Sequence, residues 1–249
     1  PVGSFRNANL FCDATYMVCQ VYAAAGFIVV MIDGRGVTGR EKSFMTHRYG
    51  DPAYINDFSD RIAGMKQLAK RYPYMDITRV GLIADENPQH SAVYALLLHS
   101  DFYKAAVLTC VHDSRFLNAS FVEMTEGPYH ETEQPKTPWP EDCVDTFDGK
   151  LLLIQGVGQN SLPATAYRLA EALQKANKDF DMLSLPSLTH SITGYTVRRD
   201  CDYMVTHLRG ETPPKDVEFT LGPLLNPFPE SWKEMFAALK EEQSAEKVE

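Results

Sequence analysis

Five short runs of this chain are apolar almost without interruption, and polar-striped stretches of helical length lie between them. The runs are "GFIVVMID" (26–33), "RVGLIA" (79–84), "KAAVLTC" (104–110), "KLLLIQG" (150–156) and "DFDMLSLP" (179–186). A half-exposed strand alternates apolar and polar residues, whereas a strand covered on both faces is apolar throughout. Helical stretches fill the gaps. Residues 57–72 place Ile62, Met65 and Leu68 on one stripe, and 164–177 place Tyr167, Leu169, Ala170 and Leu173 on another. A further helix is expected over 201–208. Strand–helix alternation requires a mostly parallel sheet joined by right-handed crossovers. The expectation is one α/β domain over 1–249.

Residues 111–149 break the rhythm. They include "EGPYHETEQPKTPWPED", rich in proline and charge, and long excursions between strands of α/β folds often cover a site. Residues 229–249 read as a surface helix that frays into a charged tail. The chain starts at Pro1 and not at Met, so it is expected to be part of a longer polypeptide.

Charge and cysteine spacing exclude several functions. The formal net charge of -9 opposes nucleic-acid binding, which needs basic patches against phosphates. The five cysteines show no C-x-x-C pair and no zinc spacing, and their odd number prevents complete internal pairing. No apolar run approaches the roughly 20 residues that span a bilayer. Neither membrane insertion by this chain nor a cofactor or metal is expected.

The stretch "RVGLIADENPQHSAVYALLL" (79–98) reads as strand, tight polar turn and apolar helix. Such a strand–turn–helix is where α/β-hydrolases mount a nucleophile on a strained elbow. Glu86 occupies the elbow position here.

Several stretches together resemble the catalytic domain of the prolyl oligopeptidase family, nearest its dipeptidyl peptidase IV-like branch. They are "AAAGFIVVMIDGRGVTGREKSFM", "DFSDRIAGMKQLAKRYPYMDITRVGL", "KLLLIQGVGQNSLPATAYRLAEALQKANKDFDMLSLPSLTHSI" and "RRDCDYMVTHLRG". The resemblance runs from about residue 23 to residue 210. It implies an α/β-hydrolase fold, with a mostly parallel central sheet flanked by helices and, in typical members, a Ser-Asp-His triad. It also implies an upstream β-propeller domain that this chain lacks, a homo-oligomer, a peptide or protein ligand, and an extracytoplasmic location, periplasmic or secreted.

The chain departs from the pattern that it resembles. Where the family has G-W-S-Y-G-G, this chain has Ala84, Asp85, Glu86, Asn87, Pro88 and Gln89, which puts Glu86 at the nucleophile position. Asn87 then falls where a backbone N–H serves the oxyanion hole. Gln159 stands at the acid position in "QGVGQNS", and His190 keeps the base position in "PSLTHSI". The proline-side pocket residues map to Phe121 and Thr125 of "FVEMTEG", and the asparagine after the triad acid maps to Ser161.

A serine nucleophile needs a base to take its proton and donors to hold the oxyanion. Glu86 has no hydroxyl, and its charge opposes an oxyanion. Gln159 supplies no charge to hold an imidazolium, which is what the triad acid does. Pro88 removes a backbone donor and fixes φ, which reshapes the elbow. The expectation is therefore a peptidase-type domain without peptidase chemistry, kept for binding or as a scaffold. Three alternatives stay open: Glu86 as a carboxylate nucleophile, a metal held by Asp85, Glu86 and His190, and an active peptidase or esterase using a serine elsewhere. Ser91, Ser161 and Ser191 are the nearby serines, and His90 and His99 read as surface or capping residues.

Overall fold

The computed structural model describes residues 13–35, 40–45, 57–85, 89–111, 138–157, 163–186, 188 and 193–215. Four parallel strands form the sheet in the order β1-β2-β3-β4: β1 (Val80–Asp85), β2 (Tyr103–Thr109), β3 (Lys150–Gly156) and β4 (Asp181–Leu185). The helices are α1 (Asp13–Ala24), the single turn α2 (Lys42–Met45), α3 (Asp57–Arg71), α4 (Gln89–Leu98), α5 (Ala164–Lys175) and α6 (Gly194–Met204). A 3-10 helix spans Pro140–Thr146, and α6 continues as a π-helical turn over Val205–Arg209.

The two central strands explain the continuous apolar runs. Every residue of β2 except Lys104 and every residue of β3 except Lys150 is buried. Ala106, Leu108, Leu151 and Leu153 face α3, α4, α5 and the 3-10 helix, in a core that includes Phe58, Tyr94, Phe147 and Leu169. On the other face Ala105, Val107, Leu152 and Ile154 meet Tyr203, Met204 and Leu208. Alternate residues thus serve opposite faces, as the pleat dictates. β4 is a sheet edge among the described residues, and its burial is partial.

The apolar run over 26–33 enters no helix and no strand ladder of the described residues. Phe27 joins the second core face, and Ile32 abuts Gly64 of α3, where a Cβ would come 3.2 Å from its Cδ1 atom. Ile28 and Met31 are each 51% exposed. None of the side chains in this run is fully buried, so here the apolar pattern marked neither a covered strand nor a ladder partner.

Other expectations also need correction. On α5, Tyr167 leaves the predicted stripe: it is exposed, its hydroxyl 3.0 Å from Ser184 Oγ, and Ala166 is buried in its stead. α6 begins at Gly194, well ahead of residue 201, because Thr193 caps it. The Thr193 hydroxyl accepts from the Thr196 amide at 3.1 Å, and the Thr193 amide donates to the Thr196 hydroxyl at 3.0 Å. Part of the excursion over 111–149 is regular: the 3-10 helix buries Pro140, Cys143 and Val144. The tail over 229–249 lies outside the described residues.

A tight polar turn sets the entry to β1. Asp76 Oδ1 accepts from the Thr78 amide at 2.9 Å and from the Thr78 hydroxyl, and Oδ2 takes Arg79 Nε at 2.7 Å. Arg79 also donates to the Leu208 carbonyl at 3.2 Å, tying this turn to the end of the π-turn. The Thr78 hydroxyl, Arg79 and the Thr78 amide hold the Asp76 carboxyl down at about 2, against an ordinary value of 3.8. Because the folded value is the lower one, the turn's stabilising contribution is complete above pH 4. It is lost as the pH falls through about 2. An NMR titration should place the Asp76 midpoint near 2, and Thr78→Val should move it toward the ordinary value.

Candidate active site

In open parallel α/β sheets, ligands gather beyond the carboxyl ends of the strands. Here those ends align: Asp85 pairs with Thr109, Thr109 with Ile154, and Gly156 with Leu185. The residues singled out by sequence follow these ends closely in the chain. Glu86 comes directly after β1, Gln159 three residues after β3, and His190 five residues after β4. Glu86, Asn87, Gln159, Ser161, His190, Phe121 and Thr125 all lie outside the described residues. What the structure does describe is the frame from which those segments depart.

Two of the departures are joined tightly. The Val157 amide donates to the Leu185 carbonyl at 3.1 Å, which carries β3–β4 bonding one step past β3. The Leu188 amide turns back to the same carbonyl at 3.2 Å. Gly156 then packs against the Leu188 backbone so closely that a Cβ would overlap the carbonyl oxygen and come 3.0 Å from the carbonyl carbon. The segments leading to Gln159 and to His190 therefore leave from one shared knot. Glycine is required there for space, not for a left-handed φ.

The far side of the His190 segment is also fixed. It runs from Leu188, which is buried, to Thr193, the cap of α6. α6 is held by Asp200, a fully buried carboxylate whose Oδ2 accepts from the Tyr22 hydroxyl of α1 at 2.9 Å. Arg209 closes the other end of the helix by donating to the Ala25 carbonyl at 2.6 Å. Sequence reading missed Gly156, Tyr22 and Asp200 as positioning residues. The glycine after "LLLIQ" was a usable signal, since a strand glycine marks a close backbone approach. The Tyr22–Asp200 contact joins residues 178 apart and left no local signal.

The polar residues at the carboxyl end of the sheet are buried. Thr109, Gln155 and Thr165 are each 5% exposed or less, and Gln155 Nε2 donates to the Gly156 carbonyl at 3.1 Å. Cys110 directly follows β2 in a left-handed conformation, φ 60°, with its amide on the Ile154 carbonyl at 2.7 Å. Ser91 lies buried in α4.

Two of the described thiols, those of Cys201 and Cys19, are shifted away from activation. Burial raises that of Cys201 to about 12, helped by Asp200 and Asp202, and burial also raises that of Cys19. A nucleophilic cysteine needs the opposite shift. Among the described residues, no group of three His, Cys, Asp or Glu side chains is placed to hold a metal ion. Nor is any helix of the described residues long and apolar enough to cross a membrane.

Comparison with known proteins agrees with this geometry. Residues 14–209 match the model of the prolyl oligopeptidase family. Human (Homo sapiens) dipeptidyl peptidase 8 is 26% identical over 193 residues, which cover 74% of this chain and 21% of that protein. The chain thus spans about a fifth of the length of this relative. Among solved structures, Porphyromonas gingivalis dipeptidyl peptidase 4 superposes with a TM-score of 0.62 at 23% identity, covering 71% of this chain and 26% of that one. Pyrococcus horikoshii acylaminoacyl peptidase gives 0.60 at 16% identity, over 78% of this chain and 34% of that one. At such identities the superpositions speak to the fold, which is the α/β-hydrolase arrangement of a parallel sheet flanked by helices.

Proposed function

Because this chain belongs to the prolyl oligopeptidase family, we propose that it is a peptidase-type domain of the dipeptidyl peptidase IV-like branch that has lost peptide hydrolysis and serves as a binding or scaffold domain. One observation carries this reading: Glu86 stands at the nucleophile position while Gln159 stands at the acid position. The loss of either one alone cripples a triad, and the two losses together leave His190 with no hydroxyl to deprotonate and no charge behind it. The Glu86 carboxylate is a poor replacement nucleophile. Its side chain is one methylene longer than the aspartate that suits a tight elbow, and it places a negative charge where the oxyanion must grow.

The frame around the site supports a scaffold that outlasted its chemistry. The Gly156–Leu188 knot, the Thr193 cap and the Tyr22–Asp200 bond keep the His190 segment anchored at both ends. On this reading the ligand is a peptide or protein segment, the domain works as a homo-oligomer, and it acts in an extracytoplasmic compartment. These three assignments come from the family likeness.

The test is turnover of an Xaa-proline nitroanilide by the purified chain and by Glu86→Gln. No release above the buffer rate by either protein is the expected result. Turnover that Glu86→Gln abolishes would overturn the reading in favour of a carboxylate nucleophile. Turnover that survives the substitution would place an active serine elsewhere.

A further inference from the structure

We draw no further inference here: the strongest candidate, the exposed surface patch of Ile28, Val29 and Met31 on the unpaired apolar run over 26–33, is an apolar face without a strand partner among the described residues, and nothing in the structure shows what covers it.

Discussion

Gly156→Ala should destabilise the chain by about 3 kcal/mol, the upper end of what an extra methyl costs in a packed interior. The reason lies in what the new Cβ would meet. Elsewhere a small insertion is absorbed by the far end of a flexible side chain. At Gly156 the obstacle is the Leu188 backbone, with the carbonyl carbon at 3.0 Å and the Leu188 Cβ at 3.2 Å from the added atom. That backbone has little room to retreat, because the Leu188 amide is bonded to the Leu185 carbonyl and its side chain is buried. Either β3 or the segment toward His190 must shift. Chemical denaturation of the purified variant reads the loss as a lower midpoint at unchanged slope. Gly81→Ala offers a contrast: its added Cβ would meet Leu208 Cδ1 and Met204 Sδ, which are side-chain atoms able to move, so a smaller loss is expected.

Leu153→Ala is expected to cost more, about 4 kcal/mol, within the range for emptying a fully buried leucine site. Leu153 is on β3, flanked by β2 on one side and β4 on the other, with no exposed surface. Its side chain belongs to the core face shared by α3, α4 and α5, together with Phe58, Leu169 and Leu173. A central strand cannot collapse into the void, because both neighbours hold it by ladder hydrogen bonds, so the cavity persists. Leu183→Ala on the edge strand removes the same atoms where burial is partial and neighbours can adjust, so it should cost clearly less. Equal losses at the two positions would contradict the burial gradient across the sheet.

These effects follow elements that were readable from the sequence, and their limits are instructive. β2 and β3 stood out because a strand covered on both faces must be apolar along its length, and β1 and β4, though only partly buried, carry similar short apolar runs. The same rule assigned a strand to 26–33, where the described residues form no ladder and no side chain of the run is fully buried. α1 went unnoticed for a related reason. "DATYMVCQVYAA" has few polar residues to mark a solvent face, and its packing against Val197, Cys201 and Ile83 is set by partners distant in the chain. Tyr167 fell on the expected stripe by spacing, yet an exposed tyrosine can keep its hydroxyl bonded at an edge, and Ala166 fits the tight interior better. The start of α6 was legible in hindsight from Thr193 and Thr196, a capping pair ahead of the first helical turn.

The site was legible in a different sense. Its positions came from likeness to a family pattern, aligned through Val80, Gly81 and the "LLLIQG" strand, and the departures proposed at Glu86 and Gln159 rest on that alignment. The groups that hold the site's frame were hidden, because Gly156, Tyr22 and Asp200 act through contacts that only the folded chain reveals.

The most direct measurement of the central claim is intact mass after treatment with a fluorophosphonate, beside an active serine peptidase as the positive control. Such reagents phosphonylate a serine whose hydroxyl is activated by a neighbouring base. On the proposed reading, with Glu86 at the elbow and Gln159 behind His190, the chain should keep its mass unchanged while the control gains one adduct. A stoichiometric adduct on this chain would show an activated serine and contradict the loss of serine peptidase chemistry.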